Sequence, residues 1–159
     1  MEINVNTTRA LLEQTAPFNE LDESALARLV ATACEQQFEA GEALFEEMTE
    51  GDEIFFIAEG SVRMSVELAS AYHMVEEIEG GVGDLVGEGR FIAEGPRPAT
   101  VTALTPVTAL VWDVTDWKAL AEDFPAAGYR LAVHAGRVLF ARVQELKAHL
   151  IDDMAWGLE

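Results

Sequence analysis

GEGRFIAEGPRPATV, residues 87–101, sets two arginines, three glycines and two prolines within fifteen residues of a chain whose formal net charge is −19. Glycines open the backbone for close approach, and prolines on both sides of Arg97 hold that residue in an extended segment. Arg90 and Arg97 are two of only six Lys and Arg residues in positions 1–125, which hold 25 Asp and Glu. Bases so scarce, placed in one rigid loop, need a physical reason.

An anion site supplies one. GEGRFIA is expected to open a short helix whose first amides point at a ligand. Arg97 can give two parallel hydrogen bonds to phosphate oxygens, and Glu88 can accept from a sugar hydroxyl. An arginine for phosphate beside a glutamate for ribose describes a nucleotide-shaped ligand. A structural ion pair to one of the many neighbouring acids accounts for Arg97 as well.

Around the loop the periodicity changes twice. Asn6 or Thr7 is the expected cap of a first short helix carrying Leu11 and Leu12 inward, and Asp22 of a second with Leu26, Leu29, Val30 and Ala33 on one face. From residue 37 the pattern is strand-like. EIFFIAEG (53–60) is a continuous apolar run suited to burial on both sides, and in SVRMSVEL (61–68) Val62, Met64, Val66 and Leu68 alternate with polar residues. HMVEEIE follows a turn near 69–72, with His73 starting its strand; ATVTAL and VTALVWDV complete about eight strands, which suggest a closed double sheet or a jelly-roll barrel. Thr115 is then expected to cap a short helix, and Pro125 to start a long one reaching about residue 153. On it Ala132, Gly136, Leu139, Val143, Leu146 and Leu150 step as a heptad seam.

Composition narrows the function classes. The acidic body repels nucleic-acid phosphates, so DNA and RNA are not expected partners. No run of about 18 apolar residues is present to cross a membrane, and MEINVNTTRALLEQ lacks the marks of a signal peptide, so a cytoplasmic location is expected. Cys34 is the only cysteine, and His73, His134 and His149 lie far apart, so neither a disulfide framework nor a metal centre is expected. No phosphate loop or nucleophile elbow occurs, and Glu46-Glu47 and Glu76-Glu77 are sequence neighbours pointing to opposite faces of a strand. An enzyme is not expected.

FEAGEALFEEMTEGDEIFFIAEGSV (38–62), with Gly41, Asp52 and Gly60, followed by GDLVGE (83–88) and PRPATV (96–101), resembles the cyclic-nucleotide-binding domain of catabolite activators, protein kinase A regulatory subunits and cyclic-nucleotide-gated channels. The resemblance runs over roughly residues 15–150 and is carried most specifically by the spacing from Gly87 to Arg97. It implies a mainly β jelly-roll barrel with N-terminal helices (residues 1–125) and a long C-terminal lid and dimerisation helix (126–159) of the same domain. By the same resemblance Glu88 holds the ribose 2′-hydroxyl and Arg97 the cyclic phosphate. The backbone of Gly87, Glu88, Gly89 and Arg90 supplies amides, Thr100 lines the pocket, and the lid helix with Arg142 covers the base.

Departures from the pattern are local. Gly89 and Arg90 stand where the family has a bulky apolar and then a small residue, so Arg90 turns away, joins the anion site, or pairs with Glu88 across it. Pro98 lacks the N–H that its usual counterpart donates to phosphate. Met48 replaces a glycine, and the lid around Arg142 and Val143 has no hydroxyls for adenine. The sequence stops at Glu159 without a helix-turn-helix, so a stand-alone domain is expected. The resulting expectation is a non-catalytic sensor needing no cofactor, with cAMP or cGMP as ligand and a homodimer through Leu139, Val143, Leu146 and Leu150. Its rivals are a ligand-free dimerisation or protein-docking module of the same fold, and a binder of another anion through Arg90 and Arg97. A seam packed on the chain's own barrel is the alternative to the dimer.

Overall fold

Two four-stranded antiparallel sheets carry the middle of the chain, flanked by helices at both ends; the computed structural model describes residues 4–69 and 74–156. In chain order the elements are α1 (Val5–Glu13), a 3-10 turn (Phe18–Glu20), α2 (Glu23–Thr32), β1 (Cys34–Phe38), β2 (Ala43–Phe45), β3 (Glu53–Glu59), β4 (Ser61–Ala69) and β5 (Met74–Gly81). There follow β6 (Leu85–Val86), α3 (Gly89–Ile92), β7 (Thr100–Ala103), β8 (Val107–Asp113), α4 (Val114–Asp123) and α5 (Pro125–Trp156). One sheet is ordered β1-β8-β3-β6, the other β2-β7-β4-β5. The turn at 70–72 and the placement of His73 fall outside the described residues.

The eight strands stack as a sandwich, and the closed barrel expected from their number does not form. Edge strands decide this: β6 has two residues and β2 three, too short for a ladder that joins one sheet to the other.

β3 shows why its sequence is apolar without alternation. Ile54 and Phe56 face the helices, in a cluster with Phe18, Leu29, Trp112 and Trp117, while Phe55 and Ile57 face the opposite sheet beside Phe38, Val62 and Val101. Phe18 stacks on Trp112 at 5.9 Å between ring centroids, and Trp112 Nε1 donates to the Leu29 carbonyl over 2.8 Å, which ties α2 to β8.

Two helix caps differ from expectation. Asn4, not Asn6 or Thr7, caps α1 by accepting from the Thr7 amide over 3.3 Å. Asp113, not Thr115, caps α4, accepting from both the amide and the hydroxyl of Thr115. Asp22 stands at the N-cap of α2, and Leu26, Leu29, Val30 and Ala33 are buried.

Pro125 begins α5, and the helix packs its first turns tightly on α4. A Cβ at Gly128 would lie 2.5 Å from the Ala121 Cβ, so the crossing needs a glycine there. Ala127 and Leu131 are buried in the core cluster that includes Trp117 and Leu120 of α4, and Ala135 is buried further along the helix. Further along, α5 runs over the loop between β6 and β7.

Candidate ligand-binding site

Between that loop, the β4 face and α5 lies a cavity of about 450 Å³, within the size range of small-molecule sites. Gly87, Glu88, Gly89, Arg90, Arg97 and Pro98 line one side and Arg142 the other. Seven of the eight residues expected at the site therefore meet at one cavity. Thr100 is the exception: it does not line the cavity, and its hydroxyl accepts from the Glu47 amide over 2.9 Å, joining β7 to the segment after β2.

Arg97 is held from several sides. Its backbone exchanges hydrogen bonds of 2.8 Å with the turn before β3, Arg97 N donating to Thr49 O and Met48 N to Arg97 O. Met48, where the resemblance implies a glycine, occupies the left-handed region at φ 65, a conformation that favours glycine. The guanidinium lies 4.3 Å from the centre of the Phe45 ring. Its Nη2 donates to the Glu53 carbonyl over 2.9 Å and approaches the Glu53 carboxylate at 3.3 Å. A Cβ at Gly87 would come within 2.8 Å of Nη1, and one at Gly51 within 2.9 Å of Nη2, so glycines make the slot in which the group lies. Burial pulls the guanidinium below its usual pKa, Glu53 opposing and Arg90 reinforcing the shift. Its Nε and Nη1 are buried, and none of the described residues accepts from them.

Glu88 is fully buried. Its Oε1 accepts from Arg142 Nη1 over 2.5 Å, while Arg142 Nη2 donates to the Leu85 carbonyl over 2.6 Å. Oε2 is buried without a donor among the described residues. Burial raises the Glu88 pKa, and Arg142 works against the rise.

Arg90 neither enters the slot that holds the Arg97 guanidinium nor pairs with Glu88. Its Nη2 donates to Asp52 Oδ1 over 2.7 Å and its Nη1 to the Gly95 carbonyl, which fastens the loop to the turn before β3. The expected cradle of α3 amides is only partly present. Arg90 N and Phe91 N already donate to the Gly87 and Glu88 carbonyls, and α3 has only four residues.

Apart from Glu94, the remaining walls are mostly apolar, with Met64 and Val66 from β4, Ile92 from α3, and Leu139, Val143 and Leu146 from α5. Three members of the heptad seam thus face a cavity of their own chain. Phe45, Asp52 and Glu53 are the functional neighbours that sequence reasoning did not assign; strand alternation had already turned Met64 and Val66 inward. No group of three or more His, Cys, Asp or Glu side chains suited to a metal occurs among the described residues. None of the described helices is long and apolar enough to cross a membrane.

The model of the cyclic nucleotide-binding domain matches residues 35–124. This chain belongs to that family. It is 33% identical over 108 residues to a cyclic nucleotide-gated potassium channel of Rhizobium etli, covering 68% of this chain and 28% of the channel. It is 26% identical over 142 residues to a CRP-like cAMP-activated global transcriptional regulator of Mycobacterium tuberculosis, covering 89% of this chain and 61% of the regulator. The chain therefore spans less than two thirds of either relative. Among solved structures, a cyclic nucleotide-binding domain from Methylobacillus flagellatus superposes with a TM-score of 0.77 at 18% identity, over 94% of this chain and 83% of that one. The regulatory domain of Toxoplasma gondii protein kinase A, co-crystallised with cAMP, gives 0.70 at 24% identity, over 82% of this chain and 49% of that one. At these identities the structural likeness establishes the fold.

Proposed function

We propose that this chain is a non-catalytic regulatory domain that binds a cyclic nucleotide, cAMP or cGMP, and signals through α5, with two copies associating along that helix. The carrying observation is a pair of unmet needs at one cavity: the Arg97 donors Nε and Nη1 and the Glu88 acceptor Oε2. Buried ionic groups left without partners are costly, and a site that keeps them is built for a ligand that completes them. A phosphate supplies acceptors for Arg97 and a ribose hydroxyl a donor for Glu88. Arg142 leaves Oε2 available, so the hydroxyl can bind while α5 stays tied to Glu88. The apolar walls of Met64, Val66, Leu139 and Leu146 suit a base recognised by packing. The family membership and the cAMP named with the M. tuberculosis and T. gondii relatives support the ligand class.

A rival reading, a member of the family that has lost its ligand and serves as a docking or dimerisation module, draws on the Arg142 guanidinium that already neutralises Glu88. Calorimetry with cAMP and cGMP on wild type, Arg97→Ala and Arg90→Ala separates the two. Binding by wild type that disappears in Arg97→Ala supports the sensor. Heat from neither nucleotide with any of the three proteins leaves the rival.

A further inference from the structure

We infer that Arg90 is a second arginine of the phosphate site, donating from Nε to the exocyclic oxygen that Arg97 does not take. This rests on the cyclic-nucleotide reading and goes beyond it, since the resemblance implies a small residue at position 90 and one arginine for the phosphate. The two arginines are held alike. Asp52 and Glu53, neighbours where the chain enters β3, each accept from one Nη2: Arg90 reaches Asp52 Oδ1 at 2.7 Å and Arg97 reaches Glu53 Oε2 at 3.3 Å. A backbone carbonyl accepts from each as well, that of Gly95 from Arg90 and that of Glu53 from Arg97. The arginine side chains are 19% and 1% exposed, whereas the carboxylates that hold them are 56% and 54% exposed. The acids therefore meet solvent, and both arginines line the cavity. Arg90 is near enough to help lower the pKa of Arg97. Two guanidiniums gathered this way repel each other, and an anion between them relieves the repulsion.

The supply of donors points the same way. A cyclic phosphate presents two exocyclic oxygens, and each accepts hydrogen bonds. Pro98 has no N–H to give, and the amides of Arg90 and Phe91 already donate to the Gly87 and Glu88 carbonyls. Arg142 has its terminal nitrogens on Glu88 and on the Leu85 carbonyl. Of the side-chain donors at the cavity, those buried without an acceptor among the described residues are Nε and Nη1 of Arg97 and Nε of Arg90. Arg97 serves one oxygen and Arg90 the other. The Nε hydrogen lies in the plane of the guanidinium, and the bonds from Nη1 and Nη2 of Arg90 fix that plane before a ligand arrives.

The test is calorimetry on the full chain with cAMP and with its two phosphorothioate diastereomers, in which sulfur, a weaker acceptor, replaces one exocyclic oxygen or the other. Arg90→Ala should bind cAMP about tenfold or more weakly than wild type, the loss of one charge-assisted hydrogen bond. The loss should be smaller for the diastereomer whose sulfur already faces Arg90, so the ratio of the two dissociation constants should change. Asp52→Asn keeps an acceptor for Nη2 and removes a negative charge beside the site, and it should bind cAMP at least as tightly as wild type. Arg90→Ala that binds cAMP as tightly as wild type, or more tightly, overturns the inference. So does an equal loss for both diastereomers, or an Asp52→Asn protein as weak as Arg90→Ala; either result makes Arg90 a strap for the loop and not a ligand of phosphate. All of these outcomes leave the cyclic-nucleotide reading standing, whereas a wild type that binds no cyclic nucleotide overturns both.

Discussion

Arg142 reaches across 54 residues of chain to hold the buried Glu88 carboxylate, with 2.5 Å between Nη1 and Oε1. Its second nitrogen holds the Leu85 carbonyl, so one side chain docks α5 on both the start of β6 and the start of the loop that follows it. Removing one partner from such a pair leaves the other charge stranded. Arg142→Ala should therefore destabilise the protein by about 3 kcal/mol. Replacing both, as Glu88→Leu with Arg142→Met, should recover much of that loss, because no charge remains buried. Urea denaturation of the single and double variants measures both quantities; a double variant as unstable as Arg142→Ala contradicts the account.

Glu88 also carries a pH dependence with a defined sign. Burial raises its folded-state pKa above the usual 4.5, and Arg142 only partly offsets this. The folded chain therefore holds the proton to higher pH than the unfolded chain does. Stability from this group is full below 4.5 and declines as pH rises through the folded value. Relative to Glu88→Gln, wild type should lose stability across that window, and Arg142→Ala should lose it over a wider one. Equilibrium denaturation at a series of pH values gives the curves, and parallel curves for wild type and Glu88→Gln would refute the assignment.

Asp113 behaves in the opposite sense. Hydrogen bonds from the Thr115 hydroxyl, and then from its amide, hold the carboxylate below its usual 3.8. Its stabilisation of α4 is present above that value and is lost as pH falls through the folded one. Asp113→Ala should cost about 1 kcal/mol near neutral pH. The two proteins should converge in acid, where the cap is protonated.

What the sequence disclosed follows from how local each feature is. Gly87 to Arg97 is a contiguous segment with its own turn chemistry, so the grouping of its residues at one cavity could be read directly. The ion pair of Arg142 with Glu88 depends on the path of α5, which no local spacing encodes. The caps were misplaced for a related reason: Asn4, Asn6 and Thr7 all have capping side chains, and Asp113 closes a strand before it opens a helix. Barrel closure turns on the lengths of β2 and β6, and apolar alternation does not report edge length. The heptad pattern on α5 was visible, but two overlapping stripes satisfy it. Only the packed helix distinguishes Leu139 and Leu146 over the cavity from Phe140 and Ile151 on the outside.

Gly87 and Gly95 make a controlled comparison within the loop. Both have positive φ, 78 and 131, so an alanine at either is strained. At Gly87 the new Cβ would also sit 2.8 Å from Arg97 Nη1 and 2.8 Å from the Glu53 carbonyl, whereas at Gly95 it meets nothing within 4 Å. Gly95→Ala should cost stability alone. Gly87→Ala should cost stability and, by displacing the guanidinium, nucleotide affinity too. Calorimetry with cAMP on both variants checks this, and equal affinity in the two would argue against the slot.

Arg97 should weaken the ligand-free fold even as it makes binding possible. Two of its buried donors lack acceptors, and each unmet donor costs about 1–3 kcal/mol. Against this stand the bond from Nη2 to the Glu53 carbonyl at 2.9 Å and the contact with the Phe45 ring at 4.3 Å. The latter contributes about 0.5–2 kcal/mol. Arg97→Met keeps an unbranched apolar stem in the slot and removes the donors. Without ligand its melting temperature should equal or exceed that of wild type, although the residue is among the most deeply buried in the chain. With cAMP, wild type should gain stability with the logarithm of ligand concentration, about 2.7 kcal/mol at a hundredfold excess over Kd, and Arg97→Met should gain none. Thermal unfolding of both proteins with and without cAMP reads all four values. A ligand-free Arg97→Met that melts well below wild type would mean that Arg97 is held there for the fold, with the ion pair to Glu53 outweighing its unmet donors.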